Sequence, residues 1–413
     1  MTPEELAAAR ERLEEFAAEM FAPLARSDQR LKGQTYLRGL LLEGRRKSMQ
    51  PMAERLGVDE QGLQQFVSSS TWAVEPVRER LARRAVAVIA PDAWVVDDTG
   101  FPKDGTASPG VARQYSGTLG KVANCQIGVS ISAVTDVASC PLDWRLFLPG
   151  SWDDDCAATP EAAAAIAARR ARAGIPATAR HHPKWRLALE MLDELAGWGL
   201  TPPVVVADAG YGTNADFRAG ITARGARYVV AVDGDLTAHG EDAVPQLRPY
   251  SGRGRRPRPR YRTKAVGLRA HAVAAGRNAT VQLTWREGSR GPLTSVFLAL
   301  RVRPAGRNPT ARLAADGSLP AVWLLAEWPP EEPEPTDYWL SDLPEHIPLP
   351  QLVRLAKIRW RIEHDYRELK TGLGLDHFEG RSWAGWHRHV TLVTAAQLFI
   401  TTLRADPKAL LPA

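Results

Sequence analysis

Two short runs of β-branched residues constrain this chain more than any other feature, because each runs straight into an aspartate. AWVVDDTG, from Ala93, carries Val95 and Val96 into Asp97 and Asp98, and PVVVADAGYG, from Pro203, carries three valines into Asp208. Apolar runs of this length, without alternation, read as strands buried on both faces. Such strands need helices above and below them, so the fold class expected is α/β, a mixed sheet flanked by helices. The carboxyl ends of strands in open α/β sheets are where ligands are held. Both runs therefore deliver carboxylates to the kind of place where chemistry is done.

A third carboxylate lies near the chain's end, in QLVRLAKIRWRIEHDYRELK, from Gln351 to Lys370. Without interior Gly or Pro and rich in good helix formers, this stretch predicts one helix. Leu355, Ile358, Ile362, Tyr366 and Leu369 form an apolar stripe. Beside it, Arg359, Glu363, Arg367 and Lys370 step by four, four and three, which stacks one carboxylate among three cations on one face. A surface helix laced by ion pairs would show the same spacing. Gly372 follows as a stop.

With 413 residues, two or three domains are expected. Residues 1–90 predict a helical, DNA-binding domain. Within it, 48–72 resembles a helix-turn-helix, with Gly57-Val58-Asp59 as the turn and a second helix from about Glu60 to Phe66; an ordinary helical pair fits the same pattern. Residues 91–233 and 351–405 predict the α/β core. Its first strand is followed by a Gly-rich basic loop holding Lys103 and Arg113, then by strands at Val122–Thr135 and in PLDWRLFLP, as an antiparallel meander. Residues 234–350 predict a β-rich insertion, with strands in ATVQLTW, TSVFLALRV and AVWLLAEW.

The net charge of +6 favours a polyanionic partner, and its density peaks in RGRRPRPRYRTK, from Arg253 to Lys264, with seven basic residues in twelve. Arg253, Arg255, Arg256, Arg258 and Arg260 in this loop are expected to contact nucleic-acid phosphates, unless the loop is merely solvated. No run of about 18 apolar residues suggests a membrane span. Three cysteines without a Cys-x-x-Cys pair suggest a reduced, cytoplasmic setting and no thiolate zinc site. His181-His182 reads as a loop pair, and His387 and His389 as a surface of the last helix.

Clustered carboxylates need cations to offset them, and oxygen ligands of this kind suit Mg²⁺ or Mn²⁺. A pair of such ions can clamp the attacking and leaving oxygens of a phosphodiester. The arrangement suggests metal-assisted phosphoryl transfer on DNA. A haloacid-dehalogenase phosphatase would need D-x-D-x-T, which DDTG does not supply.

At these residues the sequence resembles the DDE-type bacterial insertion-sequence transposases, whose catalytic core is RNase H-like. The resemblance runs from about residue 35 to 400. It rests on DDTGFPK (Asp97–Lys103), GVARQYSGTLGKVANCQ (Gly110–Gln126), VVVADAGYG (Val204–Gly212) and LGLDHFEGR (Leu373–Arg381). A Tyr-x-x-Arg-x-x-x-Glu-x-x-x-x-x-x-Lys signature is met by Arg359, Glu363 and Lys370. Its Tyr position is Ala356, a departure, with Tyr366 as a substitute further along. The resemblance implies that Asp98, Asp208 and Glu363 bind two Mg²⁺ or Mn²⁺ ions. Asp98 precedes Thr99, as in relatives where the metal-binding Asp is followed by Thr; Asp97 stays open as the alternative. It also implies that Arg359 and Lys370, with Arg367, Tyr366, Lys103 and Arg113 near them, hold DNA. A homodimer on element ends and target DNA, in the cytoplasm with the nucleoid, is the expected assembly. A DNA endonuclease or a domesticated DNA-binding descendant, neither joining strands, is the alternative.

Overall fold

The first strand, β1 (Ala93–Pro102), runs past both of its aspartates instead of ending on them. In the computed structural model, which describes residues 3–117, 120–250, 252–255, 257–288, 291–306, 313–314 and 316–405, the chain forms two compact units. One comprises Met1–Pro91, Val96–Thr201 and Arg361–Ala413; the other comprises Asp92–Val95 and Pro202–Trp360. The division falls inside β1.

The first unit begins with five helices: α1 (Pro3–Phe21), α2 (Ser27–Leu41), α3 (Met49–Leu56), α4 (Glu60–Ser68) and α5 (Glu75–Ile89). The turn between α3 and α4 is built as the sequence suggests. Gly57 takes φ 65°, and the Asp59 carboxylate caps α4 by accepting from Gly62 N at 2.7 Å. Three strands follow β1: β2 (Ala112–Ser116), β3 (Lys121–Val134) and β4 (Ser139–Leu146). Both β2 and β4 pair antiparallel with β3, and β1 is also its neighbour. The strand β2 lies inside what reads as a loop. Two helices, α6 (Pro160–Ala173) and α7 (Lys184–Gly197), come next.

Apolar alternation in β3 leads one to expect one buried face, but every residue from Cys125 to Val134 is buried. The small residues of its other face lie under helices near the C-terminus. A Cβ at Gly128 would stand 2.8 Å from Phe101 and 2.9 Å from Trp386, so only glycine fits. The last helix, Trp383–Ala405, packs on β4, α5, α2 and α4. The Arg388 guanidinium donates to Val67 O and Trp72 O, both at 3.0 Å. The N-terminal helices and this helix belong to the same compact unit.

The second unit holds β5 (Val205–Ala207), α8 (Ala209–Gly212), α9 (Ala215–Ala223), β6 (Tyr228–Val232), β7 (Thr237–Gly240), β8 (Val266–Gly267) and α10 (Leu268–Ala275). It continues with β9 (Val281–Gly288), β10 (Gly291–Pro304), β11 (Val322–Glu327), β12 (Asp337–Ser341) and α11 (Leu349–Lys357). Trp94 N, at the start of β1, donates to Val204 O at 2.8 Å, and β5 pairs parallel with β6. From β6 the order runs β12, β11, β10, β7, β8, with β9 also on β10. The three strands expected in the insertion are β9, β10 and β11. The short β12 escapes a sequence reading, yet it joins them to β6, with Tyr338 opposite Val232.

The stretch expected as one helix from Gln351 to Lys370 is two. After α11 the chain turns at Ile358 and Arg359, and α12 (Trp360–Thr371) starts afresh; the last helix is α13. The apolar stripe is buried throughout, as expected. The polar stripe is not uniform: Glu363 and Arg367 are exposed, while Lys370 is buried. The mixed α/β, RNase H-like class with N-terminal helices is the one observed.

Candidate active site

Neighbouring residues of a strand point to opposite faces, and Asp97 and Asp98 are treated accordingly. Asp97 is buried, and its Oδ1 accepts from Asp98 N at 2.7 Å. Asp98 is half-buried, and both of its carboxylate oxygens accept from Lys184 Nζ, at 3.1 and 3.0 Å. Lys184 is the first residue of α7 and follows the N-cap residue Pro183. Sequence reading assigns this lysine no role. Its one signal is positive charge in the first turn of a helix, shared with Arg186, where the dipole disfavours it.

Across on β3, burial pushes the Cys125 thiol up; Lys184 and Lys370 oppose that shift and Asp98 adds to it. Asp98, Lys184, Cys125 and Lys370 thus share one electrostatic neighbourhood. Lys370, 8% exposed, donates from Nζ to Gly100 O at 2.7 Å. Burial pushes its ammonium down to about 8. The bond ties α12 to β1, two residues beyond Asp98. Glu363, on the same helix, is exposed. Tyr366 is buried, its hydroxyl hydrogen-bonded to Ser130 Oγ at 2.8 Å.

In the second unit, Asp208 ends β5 and caps α8, accepting from Tyr211 N at 3.3 Å. The glycine closing this motif has a steric reason: a Cβ at Gly212 would stand 2.0 Å from Ala231 O. Arg359 is half-buried in the turn between α11 and α12.

The other expected DNA contacts divide. Lys103 is pushed down by burial and donates to Phe378 O, inside LGLDHFEGR. Arg113 on β2 is exposed, as are Arg253, Arg255, Arg258 and Arg260. Arg256 lies outside the described residues. His181 stays a loop residue, its Nδ1 2.7 Å from Leu148 O, and His182 sits 2.8 Å from Glu190. The expectation of a surface for His387 and His389 is overturned, since both are buried in α13. His389 Nε2 donates to Gly374 O at 3.0 Å, which leaves Nδ1 to accept from the Tyr36 hydroxyl at 2.9 Å.

One group of ligand type has no counterpart in the sequence reading. His364, Asp365 and Glu368 on α12 bring one donor atom each within 4.8 Å of one another. Burial pushes the Asp365 carboxyl up to about 6, and Arg361 pairs with it at 3.2 Å. No helix among the described residues is long and apolar enough to cross a membrane.

Residues 19–292 match the family described as DDE superfamily endonuclease. That span contains Asp97, Asp98 and Asp208; Arg359, Glu363 and Lys370 lie beyond it. A curated relative from Microchaete diplosiphon, named a probable transposase for insertion sequence element IS701, is 25% identical over 198 residues. The alignment covers 47% of this chain and 46% of the relative, so the chain spans about half the length of the relative it matches.

Proposed function

Because this chain belongs to the DDE superfamily endonuclease family, we propose that it is an insertion-sequence transposase, which cuts the ends of its element and joins them to target DNA. One observation carries this reading: the Lys370–Gly100 hydrogen bond fastens the helix that bears Glu363 to the strand that bears Asp98. Asp208 is the third carboxylate.

Three carboxylates with no thiolate or imidazole among them suit Mg²⁺ or Mn²⁺. Asp98 already accepts a cationic group on both oxygens, which fits a role as cation ligand. Bound there, two divalent ions would stabilise the charge that gathers on the phosphorus oxygens during displacement. The chain's own residues do the rest. Lys370 fixes α12, the helix that bears Glu363. Arg359 pairs with a phosphate of the bound strand. A water attacks the phosphorus at the element's end and the bond to the 3′ oxygen breaks. The freed 3′-hydroxyl then gives up its proton and attacks a phosphorus of target DNA; a new phosphodiester bond forms as the bond from that phosphorus to the target's own 3′ oxygen breaks, and that oxygen leaves as a hydroxyl. The assembly is a homodimer holding two element ends.

The test uses ends already cleaved, with a free 3′-hydroxyl. Glu363→Gln keeps the side chain's shape and removes a charge. It should leave end binding intact while abolishing both cutting and joining. Wild-type joining by Glu363→Gln would overturn the shared site. A wild-type protein that cuts and never joins is an endonuclease, and one that only binds is a DNA-binding descendant.

A further inference from the structure

The turn at Ile358–Arg359 contains no Gly or Pro, so what breaks the helix there is tertiary. Just before it, the Lys357 ammonium is enclosed by the insertion. It pairs with Glu327 Oε2 on β11 and lies 5.4, 6.0 and 5.3 Å from the ring centres of Trp285, Phe297 and Trp339. Those rings come from β9, β10 and β12. Just after the turn, the Arg286 guanidinium of β9 lies over the Trp360 ring, 3.2 Å from its centre. Adjacent residues of one strand, Trp285 and Arg286, therefore hold the chain on both sides of Arg359. Partly desolvated cation–π contacts are stronger than exposed ones, and the Glu327 carboxylate adds charge pairing.

We propose that the β-rich insertion is the positioning frame for Arg359, gripping Lys357 and Trp360 so that the guanidinium between them meets a phosphate of the DNA strand being cut. The proposal rests on the reading above that Arg359 contacts that phosphate. Lys357, Arg286 and Trp360 are positioning residues: they act through Arg359 and touch no substrate. A planar guanidinium pairs with a phosphate through two parallel donors, so its value depends on orientation. A misplacement of about 1 Å in such a group can cost on the order of a hundredfold in rate.

The test is a double-mutant cycle on single-turnover cleavage of a duplex oligonucleotide carrying the element end. Arg286→Met opens the stack. Lys357→Met combined with Glu327→Gln empties the cage without leaving a buried charge. Each should slow cleavage roughly tenfold or more in a protein whose thermal midpoint is close to wild type. In an Arg359→Ala background, neither should slow it further. Equal slowing with and without Arg359 overturns the proposal, as does a wild-type rate in both frame variants. If Arg359→Ala itself cleaves at the wild-type rate, the phosphate contact fails instead, and with it that part of the function reading. Because Arg286 is on the half-exposed face of β9, its variant remains informative if the cage variants fold poorly.

Discussion

The ammonium of Lys184 lies 3.0 and 3.1 Å from the two carboxylate oxygens of Asp98, so a positive charge already occupies the place where this carboxylate would receive a metal ion. The pair is partly exposed, and such pairs are worth ~0.2–1 kcal/mol. Replacing Lys184 with Met should tighten Mn²⁺ binding about two- to fivefold, measured by calorimetric titration of the protein without DNA. Asp98→Asn should weaken it. Unchanged affinity in Lys184→Met would mean the ammonium does not compete with the ion.

Lys370 gives the folded protein a pH signature. Its ammonium is lowered from the usual 10.5 to about 8, first by burial, with Asp376 and Cys125 opposing. The unfolded chain therefore binds more protons between pH 8 and 10.5. Stability relative to Lys370→Met should rise with pH across that window and be flat below it, by on the order of a few kcal/mol. Urea unfolding at pH 7 and pH 10 measures the difference. A gap that does not change would mean that the lysine is not desolvated.

The exposed basic loop makes a claim about salt. Neutralising Arg255 and Arg258 to Gln should weaken DNA binding on every sequence alike. It should also lower the slope of log affinity against log salt by roughly 0.9 for each phosphate left without its cation. Filter binding at several salt concentrations reads both, and an unaltered slope would reduce the loop to a solvated one.

Tyr366 is a candidate DNA contact by sequence, and its burial against Ser130 assigns it to the core. Tyr366→Phe should cost about 1 kcal/mol of stability by stranding the Ser130 hydroxyl. End binding should stay at wild type. Weaker binding at unchanged stability would return the tyrosine to the DNA.

Those residues show where sequence is readable and where it is not. The β-branched runs announce β1 and β5, because a strand buried on both faces has no other composition. Gly57 and Asp59 announce the α3–α4 turn through local backbone chemistry. The break at Ile358–Arg359 is unreadable, because its cause is rings and charges on strands about 20 to 75 residues upstream. Lys184 is equally silent: its partner is 86 residues away, and a single lysine at a helix start has no pattern. The polar stripe of α12 misleads for a related reason. Spacing reports which residues share a helix face, not which edge of that face a strand will cover, and β1 covers Lys370.

The contact between Tyr36 and His389 spans 353 residues of sequence, and Phe16 with Phe399 spans still more. A ribosome adding about 5–20 residues per second needs on the order of tens of seconds to bridge that gap. Throughout, the first helices are outside the tunnel with their apolar faces uncovered. The unit holding Asp98 and Glu363 cannot close until α13 has been made. Products truncated before α13 should therefore be held by chaperones or degraded rather than accumulate as partial enzymes, because α2, α4, α5 and β4 all pack on that helix.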